Sequence, residues 1–436
     1  MALRTSPRRP TPTGAEPAVQ EARRPSRRSS LILGLAFLAY VALSIGYATQ
    51  TPIWQNPDEP AHFNYVAQVA ETGTLPELRA GDWDSALLSR LQNGQLQPGD
   101  SISSIRYEGW QPPLYYLVAA SVYRLGPADP PSQVLRLRLF NVVFGAATLL
   151  LAYLIARELL PPPFAPAVPL TLAGIPMFTA VSAGVSADPL ANALAALLTL
   201  VLLRGRLPPL RTGTLLGLAV LTKLALLIFG PLALWLILRR PARSVRAVVA
   251  LCAAGAVVIA PWLVHQVTSY GWTDPLAVQR HAAVVGDQPR FAGLTPTYVI
   301  DFATITFHSF WAQFGWMAIV APERLYWLWG AATVAAALGL AWRRDWLRQG
   351  RWQLLCAIVL SAFAAYIVYN LAFKQFQGRY LFTALVPIGS LLVAGWAAWF
   401  PARSQAVAVV ALALLLIAVN AYALVRVLGP GFAPPG

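Results

Sequence analysis

Apolar runs of bilayer-crossing length recur along the whole chain, at residues 31–48, 139–155, 164–184, 190–203, 215–238, 248–267, 326–342, 354–373, 381–400 and 407–427. A helix needs about 20 such residues to cross a bilayer. Inside lipid, every backbone amide must find its partner within its own segment or a closed barrel. The pattern therefore predicts an all-α polytopic integral membrane protein. The run at 215–238 is flanked by arginines on both sides and reads as two crossings that turn at Thr222-Lys223. The expectation is a bundle of about eleven transmembrane helices. Charged residues make up 12% of the chain, about half the share of a soluble domain.

The net charge of +15 does not point to nucleic acid, because much of the arginine sits in short clusters between the apolar runs. With residues 31–48 running outward, Arg157, Arg204, Arg206, Arg211, Arg239, Arg240, Arg243, Arg246, Arg343, Arg344, Arg348 and Arg351 all fall inside. That is the positive-inside pattern of a cell inner (cytoplasmic) membrane protein. Residues 1–30 are rich in Arg, Pro, Ser and Thr and are expected to form a disordered cytoplasmic tail. No small-residue cleavage site follows the first run, so it reads as a retained helix. The transmembrane domain is expected at 31–430, with a first outer loop at 49–135, a second at 268–320, and no soluble domain or internal repeat. Cys252 and Cys356 both lie in apolar runs and imply neither a disulfide nor a metal site.

The first loop opens on Asn56-Pro-Asp-Glu-Pro-Ala-His-Phe. Two acids and a histidine beside a bilayer stand out in a chain with few acids. Asn56 fits an N-cap and Pro57 the first helical position, predicting a surface helix over 56–70. At 3.6 residues per turn, Asp58, His62, Tyr65 and Val69 share one stripe, with Glu59 beside it. Residues 112–126 suit a thin span or a second surface helix, and the charge pattern favours the surface helix. The other groups expected on the outer side are Gln111, Asp188, Lys223, Lys374, Gln377 and Arg379. Ionisable groups at membrane depth are costly, so each is a functional candidate.

Each also has a plainer role. Asp58 and Glu59 suit a helix start, and Asp188 suits the cap of the helix after it. Lys223 suits a snorkelling anchor, although arginine does that work elsewhere in this chain. His62 is either a ligand or proton relay, or a hydrogen-bonded partner of Asp58. Trp311 and Trp316 suit an aromatic belt. Arg136 and Arg138 fall outside on this topology, where they contact carrier headgroups or mark a local error in it. No Gly-rich nucleotide loop is present, which argues against a cytoplasmic nucleotide-sugar donor.

Asn56-Pro-Asp-Glu-Pro-Ala-His-Phe, Gln111-Pro-Pro-Leu-Tyr-Tyr, Thr222-Lys223, Ser309-Phe-Trp-Ala-Gln-Phe-Gly-Trp and Gln377-Gly-Arg-Tyr-Leu resemble a bacterial family of predicted membrane proteins, domain of unknown function 2142. That family in turn resembles the GT-C glycosyltransferases, which include protein O-mannosyltransferases, the aminoarabinose transferase of lipid A and oligosaccharyltransferases. The resemblance covers nearly the whole chain after residue 30. It implies a GT-C-like bundle with an extracytoplasmic site, which takes a sugar from a polyprenyl phosphate or diphosphate carrier to a glycan, lipid or protein acceptor. It assigns Asp58 and Glu59 to the acceptor or a metal, and Asp188 to the second acid. Lys223 and Arg379 then hold the carrier phosphate, with His62, Tyr65, Gln111 and Gln377 as further substrate-binding residues. A divalent cation, Mg or Mn, would sit on Asp58 if one is used. The rival readings are a transporter of lipid-linked sugars and a non-catalytic scaffold for envelope assembly. A transporter should show an internal repeat and charges at mid-bilayer, and this chain carries its charges at the rim.

Overall fold

The computed structural model describes residues 26–95, 100–239 and 244–432. Most of the expected tail lies outside these. The tail ends sooner than residue 30, because the Ser26 hydroxyl accepts the Ser29 amide at 3.2 Å and caps a helix beginning at Arg27.

The chain runs α1 Arg27–Gln50, α2 Glu59–Thr72, α3 Ser85–Gln92, α4 Leu114–Tyr123, α5 Pro130–Leu159, α6 Ala167–Ala173, α7 Pro176–Ser182, α8 Asp188–Arg204 and α9 Pro209–Val220. A 3₁₀ segment Leu224–Ile228 leads into α10 Phe229–Leu238, followed by α11 Val245–Tyr270, α12 Val278–Val284 and α13 Pro296–Trp311. A two-stranded antiparallel hairpin, β1 Gln313–Phe314 and β2 Ile319–Val320, precedes α14 Glu323–Trp342 and α15 Gly350–Asn370. A 3₁₀ turn Gly378–Ala384 enters α16 Leu385–Ala397, and α17 Gln405–Ala423 continues through a π turn.

Among the described residues, 7 helices are long and apolar enough to cross a membrane: α1, α5, α11, α14, α15, the unit Gly378–Ala397 and the unit Gln405–Gly431. Each matches one of the expected crossings. The four remaining expected crossings are short or interrupted. Residues 164–184 break into α6 and α7, because Pro176 starts a new helix and has no N–H with which to continue the old one. Helix α8 has 17 residues, α9 has 12, and α10 has 10 behind its 3₁₀ segment. The expected second loop, 268–320, is itself largely ordered into α12, α13 and the hairpin.

Two apolar clusters hold the molecule together. The larger joins α1 and α5–α8 to α14–α17 through residues such as Leu149, Phe178, Leu198, Trp329 and Ile358. The smaller packs α2, α3 and α4 against the start of α5, through Val66, Leu91, Ile105, Tyr115 and Leu137. Helices α9 and α11 meet through glycine. A Cβ at Gly213 would overlap the Leu251 carbonyl oxygen, and one at Gly217 would overlap Val258. Between lipid-bathed helices, small residues of this kind permit the close approach that dispersion needs. Apolar side chains such as Leu38, Val257, Leu360 and Val407 point outward, as on a lipid-facing surface. The site forms where the smaller cluster caps one end of the bundle.

Candidate active site

The segment between α1 and α2 is held by one buried ion pair. Glu59 is fully buried. Its carboxylate accepts the Trp54 and Val185 amides at 3.1 and 3.2 Å, and the Asn56 side-chain amide at 3.1 Å. Arg138 on α5 donates to it twice, from Nε at 2.8 Å and Nη2 at 2.6 Å. The same guanidinium also donates to the Ala48, Thr51 and Pro52 carbonyls. Such a bidentate pair, with its other donors and acceptors satisfied, fixes geometry tightly. Two sequence expectations change here. Glu59 was grouped with the catalytic acids but lies outside the cavity, as a structural clasp. Arg138, a candidate for carrier headgroups on the sequence, is instead the buried partner of Glu59, while Arg136 donates to the Tyr123 and Pro127 carbonyls.

The clasp also moves the start of α2. The helix begins at Glu59, and Asp58, not Asn56, is the N-cap residue. Asp58 has φ 65°, the left-handed region, and its side chain makes no capping bond. Trp54 is also left-handed, at φ 67°. Aspartate tolerates this region better than most residues, yet the conformation still costs energy and persists only where its surroundings enforce it. Freed from capping, the Asp58 carboxylate turns into a cavity.

That cavity has a volume of ≈ 350 Å³ and is lined by Asp58, His62, Gln111, Asp188, Lys223 and Arg379 among others. Asp58 Oδ2 accepts from Arg379 Nη2, and Oδ1 accepts the Tyr107 hydroxyl at 2.8 Å. Lys223 Nζ donates to Asp188 Oδ1, and Arg379 Nη1 lies 3.9 Å from Asp188 Oδ2. Four charged groups from four separate segments thus form one alternating cluster. Asp188 opens α8, and Lys223 sits in the turn between α9 and the 3₁₀ segment. That turn is tied to α4 by the Leu114 amide, which donates to the Leu221 carbonyl at 2.8 Å.

Arg379 depends on Gly378. The Gly378 amide donates to Ser309 Oγ at 2.7 Å, and a Cβ there would overlap the Thr306 carbonyl oxygen and the Phe310 backbone. Gly378→Ala should therefore push the 3₁₀ turn off α13, at a cost of about 1–3 kcal/mol of strain. A lower thermal midpoint of the purified chain, together with weaker binding of an anionic lipid in the cavity, would register it. Gln377 was expected to touch substrate. It lies outside the cavity and accepts Arg379 Nε at 2.6 Å, holding the guanidinium.

His62 Nδ1 lies 2.8 Å from the Tyr116 hydroxyl, so its hydrogen-bond partner is Tyr116 and not Asp58. Tyr65 is buried behind the cavity wall. It stacks on Tyr116 with ring centroids 3.6 Å apart and donates to the Gln111 carbonyl at 3.1 Å. It supports the wall without facing the cavity.

Burial acts to raise the Asp58 carboxyl, but the Arg379 guanidinium, with His62 and the Tyr107 hydroxyl, outweighs it and holds the group below its ordinary value. Burial depresses His62 to about 4. Glu108 behaves oppositely: burial and then the Asp58 charge raise it to about 8.

Glu108 stands three residues before the Gln111-Pro-Pro-Leu-Tyr-Tyr motif, and no local pattern in the sequence marks it. Trp110, Asn192 and His281 also line the cavity. Among the described residues, the buried Asn192 Nδ2 and Trp110 Nε1 have no hydrogen-bond partner.

A resident divalent cation is poorly served by this donor set. Asp58 and Asp188 are engaged by Arg379 and Lys223. Among the described residues, no three His, Cys, Asp or Glu side chains gather around a point. A hard cation takes six or more oxygen ligands.

No curated protein matches the chain in sequence. Among solved structures, ArnT from Cupriavidus metallidurans bound to undecaprenyl phosphate shares 15% identity at a TM-score of 0.54, over 92% of this chain and 73% of that one. The same enzyme in the apo state gives 14% identity and a TM-score of 0.52, over 96% and 74%. The oligosaccharyltransferase AglB from Archaeoglobus fulgidus, in complex with an inhibitory peptide and a dolichol-phosphate, gives 14% identity and a TM-score of 0.49, and this chain spans 56% of its length. The ArnT likenesses show the fold, a polytopic GT-C-like helical bundle. The family described as predicted membrane protein (DUF2142) matches residues 103–388, well over half of the chain. The chain is a member of the DUF2142 family of membrane proteins.

Proposed function

We propose that this protein is a membrane glycosyltransferase, which moves a sugar from a polyprenyl-phosphate-type carrier to an acceptor on the extracytoplasmic face. The observation that carries this reading is the convergence of Asp58, Asp188, Lys223 and Arg379 on one cavity at the end of the bundle. The ArnT structure that shares the fold is bound to undecaprenyl phosphate, which supports a carrier of this class. Arginine binds phosphate oxygens in a fork and lysine acts as a point charge. Here both are held in place by acids before any ligand arrives. Such preorganised positive charge favours the transition state in which negative charge builds on the departing phosphate. Asn192 and Trp110 supply neutral donors for the phosphate and the sugar hydroxyls. Arginine clusters between the apolar runs, read with the positive-inside rule, support an extracytoplasmic cavity.

The test is loss of labelled sugar from a polyprenyl-phosphate donor in proteoliposomes supplied with envelope extract as acceptor. The wild-type chain should cleave the sugar–phosphate bond and transfer the label. Lys223→Ala should slow this by about 10²-fold or more, the range for losing one preorganised group of this kind. Carrier moved across the vesicle with its sugar bond intact would favour the transporter instead.

A further inference from the structure

We propose that Glu108 takes the proton from the acceptor hydroxyl in this cavity. The inference rests on the glycosyl-transfer reading and moves the base from Asp58, the acid the sequence suggests, to Glu108.

A general base needs a free acceptor atom facing the reacting proton. Asp58 has Oδ2 on Arg379 and Oδ1 on the Tyr107 hydroxyl. Asp188 has one oxygen on Lys223 and the other facing Arg379. The cavity-facing ring of His62 is held through Nδ1 by Tyr116. Glu108 lines the same cavity, and among the described residues no arginine or lysine is paired with it and its Oε2 has no hydrogen-bond partner. Its side-chain neighbour is Gln111, a neutral group.

The charged and titratable groups that act on Glu108 include Asp58, Tyr107, Tyr116, Lys223, Tyr369 and Arg379. Burial and the Asp58 charge outweigh Lys223 and Arg379, which leaves a carboxylate of about 8. That suits a base near neutral pH, whereas the depressed Asp58 is a weak one. A carboxylate with its lone pairs on arginine is better suited to holding that arginine.

The step balances without another reagent. The acceptor oxygen bonds to the anomeric carbon of the sugar. The bond from that carbon to the phosphate oxygen breaks, and its electron pair leaves with the carrier phosphate. The acceptor proton passes to the Glu108 carboxylate.

The test uses the full chain in nanodiscs, with single-turnover transfer followed from about pH 6 to pH 9.5, alongside binding of undecaprenyl phosphate. The wild-type rate should rise with pH and level off above about 8, where Glu108 is ionised. Glu108→Gln should bind the carrier within about threefold of wild type, lose transfer by about 10²–10⁴-fold, and lose the rising limb. Glu108→Asp should keep a measurable rate and the limb. A Glu108→Gln chain that transfers at more than a third of the wild-type rate with its limb intact overturns the assignment. So does a limb that vanishes in Asp58→Asn but persists in Glu108→Gln. A wild-type chain that cleaves no donor overturns the glycosyl-transfer reading, and this assignment with it.

Discussion

Arg379→Gln should abolish transfer and weaken carrier binding by about 30- to several-thousand-fold. Arg379 is buried, donates to Asp58 and lies within 3.9 Å of Asp188. Its loss leaves Lys223 as the one base facing two carboxylates. An arriving phosphate would then meet excess negative charge, and Asp58 would lose the group that keeps it ionised. Truncating one partner of a buried, hydrogen-bonded charge pair costs about 2–5 kcal/mol, and each 1.4 kcal/mol is about tenfold in affinity. Arg379→Lys restores the charge without the planar fork, and should recover part of the binding and less of the rate. Undecaprenyl phosphate titrated into nanodiscs measures both variants. Wild-type affinity in Arg379→Gln would remove this residue from the phosphate site.

Glu59→Ala should be the most destabilising change of a site-adjacent residue. It strands the Arg138 guanidinium in the core and leaves the Trp54 and Val185 amides without their acceptor. Breaking a buried pair by deleting one partner costs about 3–5 kcal/mol, mostly for the uncompensated charge. Reversible unfolding in mild detergent should show the loss, and Arg138→Ala should show a similar one. Because the penalty belongs to the unpaired charge, the double change Glu59→Leu with Arg138→Met should be more stable than either single alanine variant. A double variant worse than both singles would mean the clasp acts through its hydrogen bonds and not through charge compensation. Residual transfer in whatever Glu59→Gln protein folds would confirm that this acid performs no chemistry.

The crossings were readable because length and apolarity settle them, and α1, α5, α11, α14 and α15 follow the runs closely. The break between α6 and α7 had a visible cause in Pro176, but mean apolarity over residues 164–184 conceals it. The charged members of the site were readable for a related reason: Asp58, Asp188, Lys223 and Arg379 stand out because bilayer depth penalises charge. What was not readable depends on distant pairing. Asn56-Pro-Asp-Glu is a good local helix start, yet the start lies at Glu59, because Arg138, 79 residues on, holds that carboxylate. The same contact turns Asp58 out of its cap and into the cavity. Glu108 carries no local sign of its role. Its character comes from Asp58 and from burial, both supplied by the fold. Tyr65 was placed on the polar stripe correctly by helical geometry, but Tyr116 of α4 covers it, and no periodicity in α2 alone can show that.

The central claim is that one cavity, closed by α2 and the ends of three bundle segments, holds a carrier phosphate between Lys223 and Arg379. Electron cryomicroscopy of the full chain in nanodiscs with undecaprenyl phosphate tests it most directly. The predicted result is phosphate density within hydrogen-bond distance of the Arg379 guanidinium and Lys223 Nζ, with the Asp58 or Asp188 contacts lengthened to admit it. Phosphate density at the opposite end of the bundle, with the Asp58–Arg379 and Asp188–Lys223 pairs unchanged, would contradict the account.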